Sequence, residues 1–319
     1  MSRTALSVSL ATGFFVCLMA LPGSSPRAQA PTEWFTVTKL GPNVWGAIDN
    51  PQAKQRSYAN AGFVIGEDGV VVIDTLTADD VAGRLLREIR SLTSLPVRFV
   101  VNTHYHGDHV AGNRLFAEAG AQLLAHRNVR RWIFPENLRM LGDKPNPEHK
   151  AFIEKFAAPN VSYTDAVDLY LGSRVIQVRS FPGHTGGDSV VIVPDARVVF
   201  AGDLLWRNVV PNTVDGSTKE WIQTLSTLAS DYAGYTFVPG HGSLATAQDV
   251  TVLRDYLATV QKLVADARSS GKTGAAVAPA VLPALKEKYG AWEGFEYLAP
   301  RNIAEADAEQ TGKKRVPQP

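Results

Sequence analysis

One short run, Thr-His-Tyr-His-Gly-Asp-His at residues 103–109, constrains what this chain can fold into more than any other feature. It places three imidazoles and one carboxylate within six residues. Zinc takes such nitrogen and oxygen ligands, and a catalytic zinc keeps one position open for water. His104 and His106 lie two apart, so an extended backbone presents both rings to the same side. Asp108 and His109 follow where the pattern turns helical, so one ion could take the first pair and a second ion the other.

Three motifs further along the chain carry the other candidate ligands. His184 lies in a Phe-Pro-Gly-His-Thr-Gly-Gly-Asp turn, Asp203 ends the apolar run Val-Val-Phe-Ala-Gly-Asp, and His241 lies in Phe-Val-Pro-Gly-His-Gly. Of the seven histidines in the chain, five fall in these motifs or in the first run. His126 and His149 stand alone in polar or helical surroundings, so we interpret them as ordinary solvated or capping histidines.

Together these motifs, within residues 61–241, resemble the H-x-H-x-D-H signature and the later ligand motifs of the metallo-β-lactamase superfamily of binuclear metallohydrolases. The resemblance implies an α/β fold, the four-layer αββα metallo-β-lactamase sandwich. It also implies a zinc-dependent hydrolase with two Zn²⁺ ions, or iron or manganese in their place. A hydroxide shared by two such ions forms near neutral pH and can attack an ester, thioester or amide-like carbonyl.

The resemblance also assigns the ligands. It implies that Asp108 is a catalytic residue as well as a metal ligand. The implied set is His104, His106 and His184 on one ion, Asp108, His109 and His241 on the other, and Asp203 between them.

The aspartate between the two ions indicates which branch of the superfamily this chain resembles. An aspartate at this position is found in glyoxalase II, alkylsulfatase and quinoprotein relay-associated hydrolases, which resemble this chain more than a dedicated β-lactamase does. The run at residues 211–221 resembles the quinoprotein relay-associated group. The only cysteine, Cys17, precedes every motif, which excludes the β-lactamase subclass with a cysteine ligand. A periplasmic class B-type β-lactamase remains the alternative function.

The first thirty residues have the pattern of a secretory signal peptide: a basic start, an apolar middle and an Ala-Gln-Ala end. We therefore expect a periplasmic or secreted protein with no stable membrane association after cleavage at Ala28 or Ala30. A net charge of +1 argues against nucleic acid as a partner. The expected partner is a small-molecule substrate, and the oligomeric state stays open.

The hydrophobic pattern predicts strands and helices around these motifs. A hairpin at residues 34–49 and two strands at 61–75 precede a helix at 78–92 and a buried strand at 97–101. We predict one helix over 128–141, strands from 168 to 201, and helices over 217–229, 246–270, 283–289 and 303–310.

The same pattern suggests a division of the chain. The predicted organisation is a signal peptide at 1–30, a metallo-β-lactamase-fold catalytic domain at 31–270, and a C-terminal helical extension and tail at 271–319. Residues 312–319 are predicted to be a disordered tail with solvated basic side chains.

Several residues near the motifs have two interpretations each. Asp74 either supports the metal loop or caps the next helix. Trp206, Arg207 and Lys219 either line the site, with the cations binding a substrate carboxylate, or belong to packed loops. The Tyr105 side chain either faces the substrate pocket beside the metal ligands or points away from it.

Two non-hydrolytic classes are less consistent with the sequence. A binding module that had lost its reaction would lack at least one of the seven ligands. A flavodiiron-type protein would have a glutamate among its first ligands and a flavin domain.

Asp188 is expected to support the turn that carries His184.

Overall fold

Two β-sheets that face each other form the centre of the protein. The computed structural model describes residues 33–317, so the predicted signal peptide lies outside the described residues. The first sheet has seven strands in the order β1 to β7, antiparallel from β1 to β4 and parallel from β4 to β7. Its strands are β1 (Phe35–Gly41), β2 (Val44–Asp49), β3 (Ala61–Ile65), β4 (Val70–Ile73), β5 (Val97–Asn102), β6 (Gln122–His126) and β7 (Val161–Tyr163).

The second sheet has five strands in the order β12-β11-β10-β9-β8. Its only parallel pair among the described residues is β11 with β12. Its strands are β8 (Ala166–Leu171), β9 (Arg174–Ser180), β10 (Ser189–Val193), β11 (Val198–Trp206) and β12 (Thr236–His241).

Ten α-helices in the described residues pack around the two sheets. They are α1 (Asp79–Leu92), α2 (Gly107–Val110), α3 (Asn113–Glu118), α4 (Arg127–Trp132), α5 (Pro135–Met140), α6 (Pro147–Ile153), α7 (Thr218–Asp231), α8 (Ala247–Ser269), α9 (Val277–Tyr289) and α10 (Phe295–Gln310). Ser217 caps α7 by accepting from the Glu220 amide, and Thr246 with Asp249 forms a capping box on α8.

Three apolar clusters show the layering. Inward side chains of both sheets, such as Val71, Val101 and Phe200, form one cluster between the sheets. Leu85 of α1 and Phe116 of α3 pack on the other face of the first sheet. Helices α7 to α10 pack on the other face of the second sheet. The predicted αββα sandwich is confirmed.

Three predicted helices differ from the structure. The helix predicted over 128–141 is two helices, α4 and α5, because Pro135 lacks an amide hydrogen and begins a new helix. Helices α9 and α10 begin earlier than predicted and contain Pro283 and Pro300. Both pack against α8, and such tertiary packing outweighs weak local propensity. The predicted domain boundary at 270 stays a prediction.

Two basic side chains of the predicted tail have protein partners, and residues 318 and 319 lie outside the described residues. Lys314 Nζ donates to the Thr213 carbonyl at 2.7 Å, and Arg315 forms two hydrogen bonds with the Glu136 carboxylate at 2.6 and 2.9 Å. The segment is thus held beside the loop at residues 211–217. No helix in the described part of the chain is long and apolar enough to span a bilayer.

Candidate metal centre

Seven histidine and aspartate side chains converge where strands of the two sheets end. Residues 104 and 106 follow β5, 108 and 109 lie in α2, 184 lies between β9 and β10, 203 lies in β11, and 241 ends β12. They form two groups, each with its ligand atoms within 4.8 Å of one another. The first cluster is His104, His106, His184 and Asp203, and the second cluster is Asp108, His109 and His241. The structure brings together all seven residues that the sequence analysis selects.

Asp203 stands between the two clusters. Its Oδ2 atom lies 3.3 Å from His184 Nε2 and 3.6 Å from His104 Nε2. Its Oδ1 atom lies 3.0 Å from His109 Nε2 and 3.1 Å from His241 Nε2. One carboxylate therefore offers an oxygen to each cluster.

Two glycines allow the backbone to approach this carboxylate. A Cβ atom at Gly240 would lie 1.9 Å from Asp203 Oδ1. Gly202 has a φ of +51°, and a Cβ atom there would lie 2.5 Å from Thr103 Oγ1. Only glycine combines this conformation with this space.

The residues present fit a metal centre. The Nε2 atoms of His104, His109 and His241 and the Oδ1 atom of Asp203 are buried and have no hydrogen-bond partner among the described residues. Leaving buried polar atoms without a partner is costly, so such atoms require a ligand. A set of imidazole nitrogens and carboxylate oxygens suits a divalent ion such as zinc.

The first cluster is fixed from behind by hydrogen bonds to the opposite ring nitrogens. His106 Nε2 lies 3.2 Å from Asp215 Oδ2, and His184 Nδ1 donates to the Asn212 carbonyl at 3.0 Å. His104 Nδ1 lies 3.1 Å from Thr103 Oγ1. Partners of this kind fix the tautomer and the orientation of a ligating imidazole.

The second cluster is fixed in the same way. His109 Nδ1 lies 2.9 Å from Asp74 Oδ2, and His241 Nδ1 donates to the Tyr58 carbonyl at 2.8 Å. Asp74 also accepts from the Thr103 amide and hydroxyl at 2.8 and 2.7 Å. Of its two interpretations, support of the metal loop is confirmed, because α1 begins after Ala78 without a side-chain cap.

Burial and nearby charges move the pKa values of the histidines in opposite directions. Burial lowers the pKa of His184 to about 3. Burial and the neighbouring His109 hold the pKa of His104 well below its ordinary value. Burial alone would also lower the pKa of His109 and His241, but nearby carboxylates, Asp203 first, raise both. His104 and His184 of the first cluster are thus neutral imidazoles, whereas His109 and His241 of the second cluster bind protons that an ion must displace.

Asp215 is the functional residue that the sequence analysis missed. Besides His106, it accepts from the Tyr105 hydroxyl at 2.6 Å and pairs with the Arg139 guanidinium. It lies 109 residues from His106 along the chain, and no local pattern links the two. Tyr105 is fully buried and bonded to Asp215, so it does not face the pocket.

A cavity of about 380 Å³ opens onto both clusters. Trp206 lines it, which is the first of its two interpretations, and its ring is stacked on His241 at a centroid distance of 3.8 Å. Arg207 does not line it, because its guanidinium pairs with Asp249 at 3.0 Å and donates to the Leu244 carbonyl. Lys219 is exposed on α7 and does not line it either.

The remaining candidates take supporting positions. Asp188 accepts from the amide and hydroxyl of Thr185, both at 2.6 Å, and so supports the His184 turn as expected. His126 caps α4 by accepting from the Asn128 amide, as expected of a capping histidine. His149 is exposed at the mouth of the cavity.

Comparison with known proteins agrees with this geometry. The profile of the Metallo-beta-lactamase superfamily matches residues 55–241. The linear primary-alkylsulfatase of Pseudomonas sp. (strain ATCC 19151) is 22% identical over 57% of this chain, which spans only 41% of that enzyme. The acyl-coenzyme A thioesterase MBLAC2 of Bos taurus is 26% identical over 63% of this chain and 74% of its own length. The structure of a metallo-beta-lactamase from Pontibacter korlensis has a TM-score of 0.56 at 22% identity, covering 69% of this chain and 99% of that one.

Proposed function

Since the chain belongs to the metallo-β-lactamase superfamily and is a metal-dependent hydrolase, we propose that it holds two zinc ions and hydrolyses an ester or thioester. The observation that carries this proposal is the position of Asp203, whose two oxygens are directed to different clusters. A carboxylate shared in this way suits two ions close together. Two bound zinc ions supply an ionised water near neutral pH and polarise a carbonyl oxygen.

The side chains of the site have distinct tasks in such a reaction. Water adds to the carbonyl carbon, the C–O or C–S bond breaks, and a proton passes to the leaving atom. The Asp108 carboxylate lines the cavity and its side chain is 32% exposed, whereas that of Asp203 is only 2% exposed. Asp108 is therefore placed to hold that proton next to the substrate. Trp206 packs on His241 and excludes water from one wall.

Esters and thioesters fit this site better than β-lactams do. The related thioesterase and alkylsulfatase support a hydrolase of this general kind. A β-lactam antibiotic carries a carboxylate, and no Lys or Arg is found among the described residues that line the cavity. The structural likeness to a metallo-β-lactamase concerns the fold.

Kinetics with a metal count test the proposal. We expect the zinc-loaded protein to contain two zinc ions per chain by plasma mass spectrometry. It should turn over an aryl ester or a small thioester with kcat/KM above about 10⁴ M⁻¹s⁻¹. A chromogenic β-lactam should be slower by several orders of magnitude. A β-lactam rate above that of every ester and thioester would overturn the substrate assignment.

Two variants serve as blank and control for this experiment. Asp108→Ala should abolish turnover. His126→Ala removes a histidine that lies outside both clusters, so it should keep two zinc ions and the parent rate. One ion in the fully active parent protein would contradict the binuclear assignment.

Export is a separate proposal, which rests on the residue pattern at positions 1–30. Expression of the full chain in a bacterial host, followed by fractionation and N-terminal sequencing, tests it. We expect a mature chain in the periplasm that begins shortly after Ala28 or Ala30. A full-length chain in the cytosol would contradict export.

A further inference from the structure

The cavity beside the clusters has a composition that the metal centre does not require. One end of it is formed by cluster residues, namely His106, Asp108, Asp203 and His241. Because these side chains line the same cavity, a molecule that reaches the reacting atoms must place its remainder in the rest of the space. The volume of the whole cavity, about 380 Å³, lies in the range of small-molecule sites.

The rest of the cavity is lined mostly by apolar side chains, beside the polar Thr77, Asn137, His149 and Asn212. The apolar side chains that line it come from α5, α6 and the segments after them, with Trp206 opposite: they are Met140, Leu141, Phe152, Ile153 and Phe156. Met140 is 41% exposed and Phe152 is 42% exposed, although large apolar side chains tend to be buried. Adjacent exposed apolar side chains at the mouth of a cavity mark a binding surface.

No Lys or Arg side chain lines this cavity in the described structure, and the one histidine of the lining outside the two clusters, His149, is exposed at the mouth. Two arginines on neighbouring segments are paired elsewhere: Arg139 pairs with Glu136 and Asp215, and Arg207 pairs with Asp249. Transfer of a carboxylate into apolar surroundings without a partner is strongly unfavourable. An anionic group on the substrate would therefore be unfavourable against the apolar side chains Met140, Phe152 and Phe156.

We propose that the cavity binds an uncharged apolar arm of the substrate, an alkyl or aryl group next to the scissile ester or thioester bond. This inference rests on the proposed function for the reaction and on the cavity for the specificity. It makes Met140 and Phe152 specificity-determining residues. It also separates this site from one built for a carboxylate-bearing substrate.

A chain-length series tests the inference by turnover. Aryl esters with acetyl, butyryl and hexanoyl groups vary the acyl side, and S-alkyl thioacetates vary the leaving group. We expect kcat/KM to rise in at least one series, by up to about fourfold per methylene. A hexanoyl analogue ending in a carboxylate should be at least about tenfold slower than the hexanoyl ester. Flat series, or a carboxylate-ending analogue that matches the apolar one, would overturn the inference.

Matched variants locate the effect. Met140→Ala with Phe152→Ala should reduce the hexanoyl-to-acetyl ratio by at least about fivefold and leave two zinc ions bound. Leu92→Ala is the control, because Leu92 is 44% exposed at the end of α1 and does not line this cavity. The same ratio in the double variant and the parent would contradict the role of these two residues.

Binding without turnover separates this inference from the proposed function. Calorimetric titration of the zinc-loaded protein with straight-chain alkanamides should show affinity rising with chain length, and the double variant should lose that trend. Length-dependent binding with no hydrolysis of any ester or thioester would refute the proposed function and leave the inference standing. Hydrolysis of an ester or thioester with no dependence of rate or of binding on chain length would refute the inference and leave the proposed function standing.

Discussion

The two metal clusters differ in how they meet solvent, although Asp203 joins them. All four members of the first cluster are buried, and three of them are histidines supported from behind. The second cluster includes Asp108, whose side chain is 32% exposed toward the cavity. The first arrangement favours retention of an ion and the second favours access for a substrate. The difference suggests that the two halves of one centre have divided these tasks.

The largest expected effect comes from the residue that the clusters share. Asp203→Asn removes a charge that both clusters use, so we expect loss of both ions and a fall in kcat/KM of at least about a thousandfold. Asp108→Asn affects the second cluster alone and should leave one ion bound. Metal analysis and ester kinetics measure both effects, with exposed Asp68→Asn as the control. Equal metal content in the Asp203 and Asp108 variants would contradict the division.

The pH dependence of metal binding should also distinguish the clusters. An ion at the second cluster must displace protons from His109 and His241, whose pKa values are raised, whereas His184, with a pKa of about 3, is already neutral. As pH falls, affinity at the second cluster should drop by about tenfold per unit for each displaced proton. Chelator competition between pH 8 and pH 5.5 should show one ion released before the other. Simultaneous release of both ions would contradict this prediction.

The carboxylates behind the histidines allow a paired test. Asp215→Asn weakens support of His106 in the first cluster, and Asp74→Asn weakens support of His109 in the second. We expect each to lower metal affinity by about 10- to 100-fold. Asp215→Asn should weaken the tighter of the two binding steps and Asp74→Asn the weaker. Loss of the same step in both variants would show that the clusters are not independent in this respect.

The smallest effect is expected at the C-terminal segment. Arg315 pairs with Glu136, which in turn pairs with Arg139, the partner of Asp215. The Arg315 side chain is 54% exposed, and the buried Glu136 keeps Arg139 as a second partner, so solvent-screened Arg315 should contribute only about 1 kcal/mol. Arg315→Ala should therefore change ester kcat/KM by less than about threefold, measured beside Lys150→Ala, which removes another exposed pair. A tenfold loss would mean that this segment positions His106.

Much of the candidate site was accessible from local sequence. The spacing of His104, His106, Asp108 and His109 is covalent, so their proximity depends on only one strand end and one helical turn. The αββα fold was implied by the resemblance of the motifs to a superfamily whose profile matches the chain, and the order of hydrophobic segments placed strands and helices around the motifs.

Other features depend on contacts between distant segments. The packing of separate helices and loops sets three of these contacts. They are Asp215 with His106, Arg207 with Asp249, and Arg315 with Glu136. The apolar cavity likewise exists only because α5 and α6 lie beside the clusters.

The sequence by itself determined which side chains can hold metal and in which superfamily, because those signals lie in short covalent spacings. Only the tertiary structure decided which oxygen of Asp203 meets which cluster, which carboxylate supports each histidine, and what surrounds the substrate. The physical reason is that these properties are distances and burial between segments far apart in the chain. Packing of the two sheets and their helices sets them, and no local pattern encodes that packing.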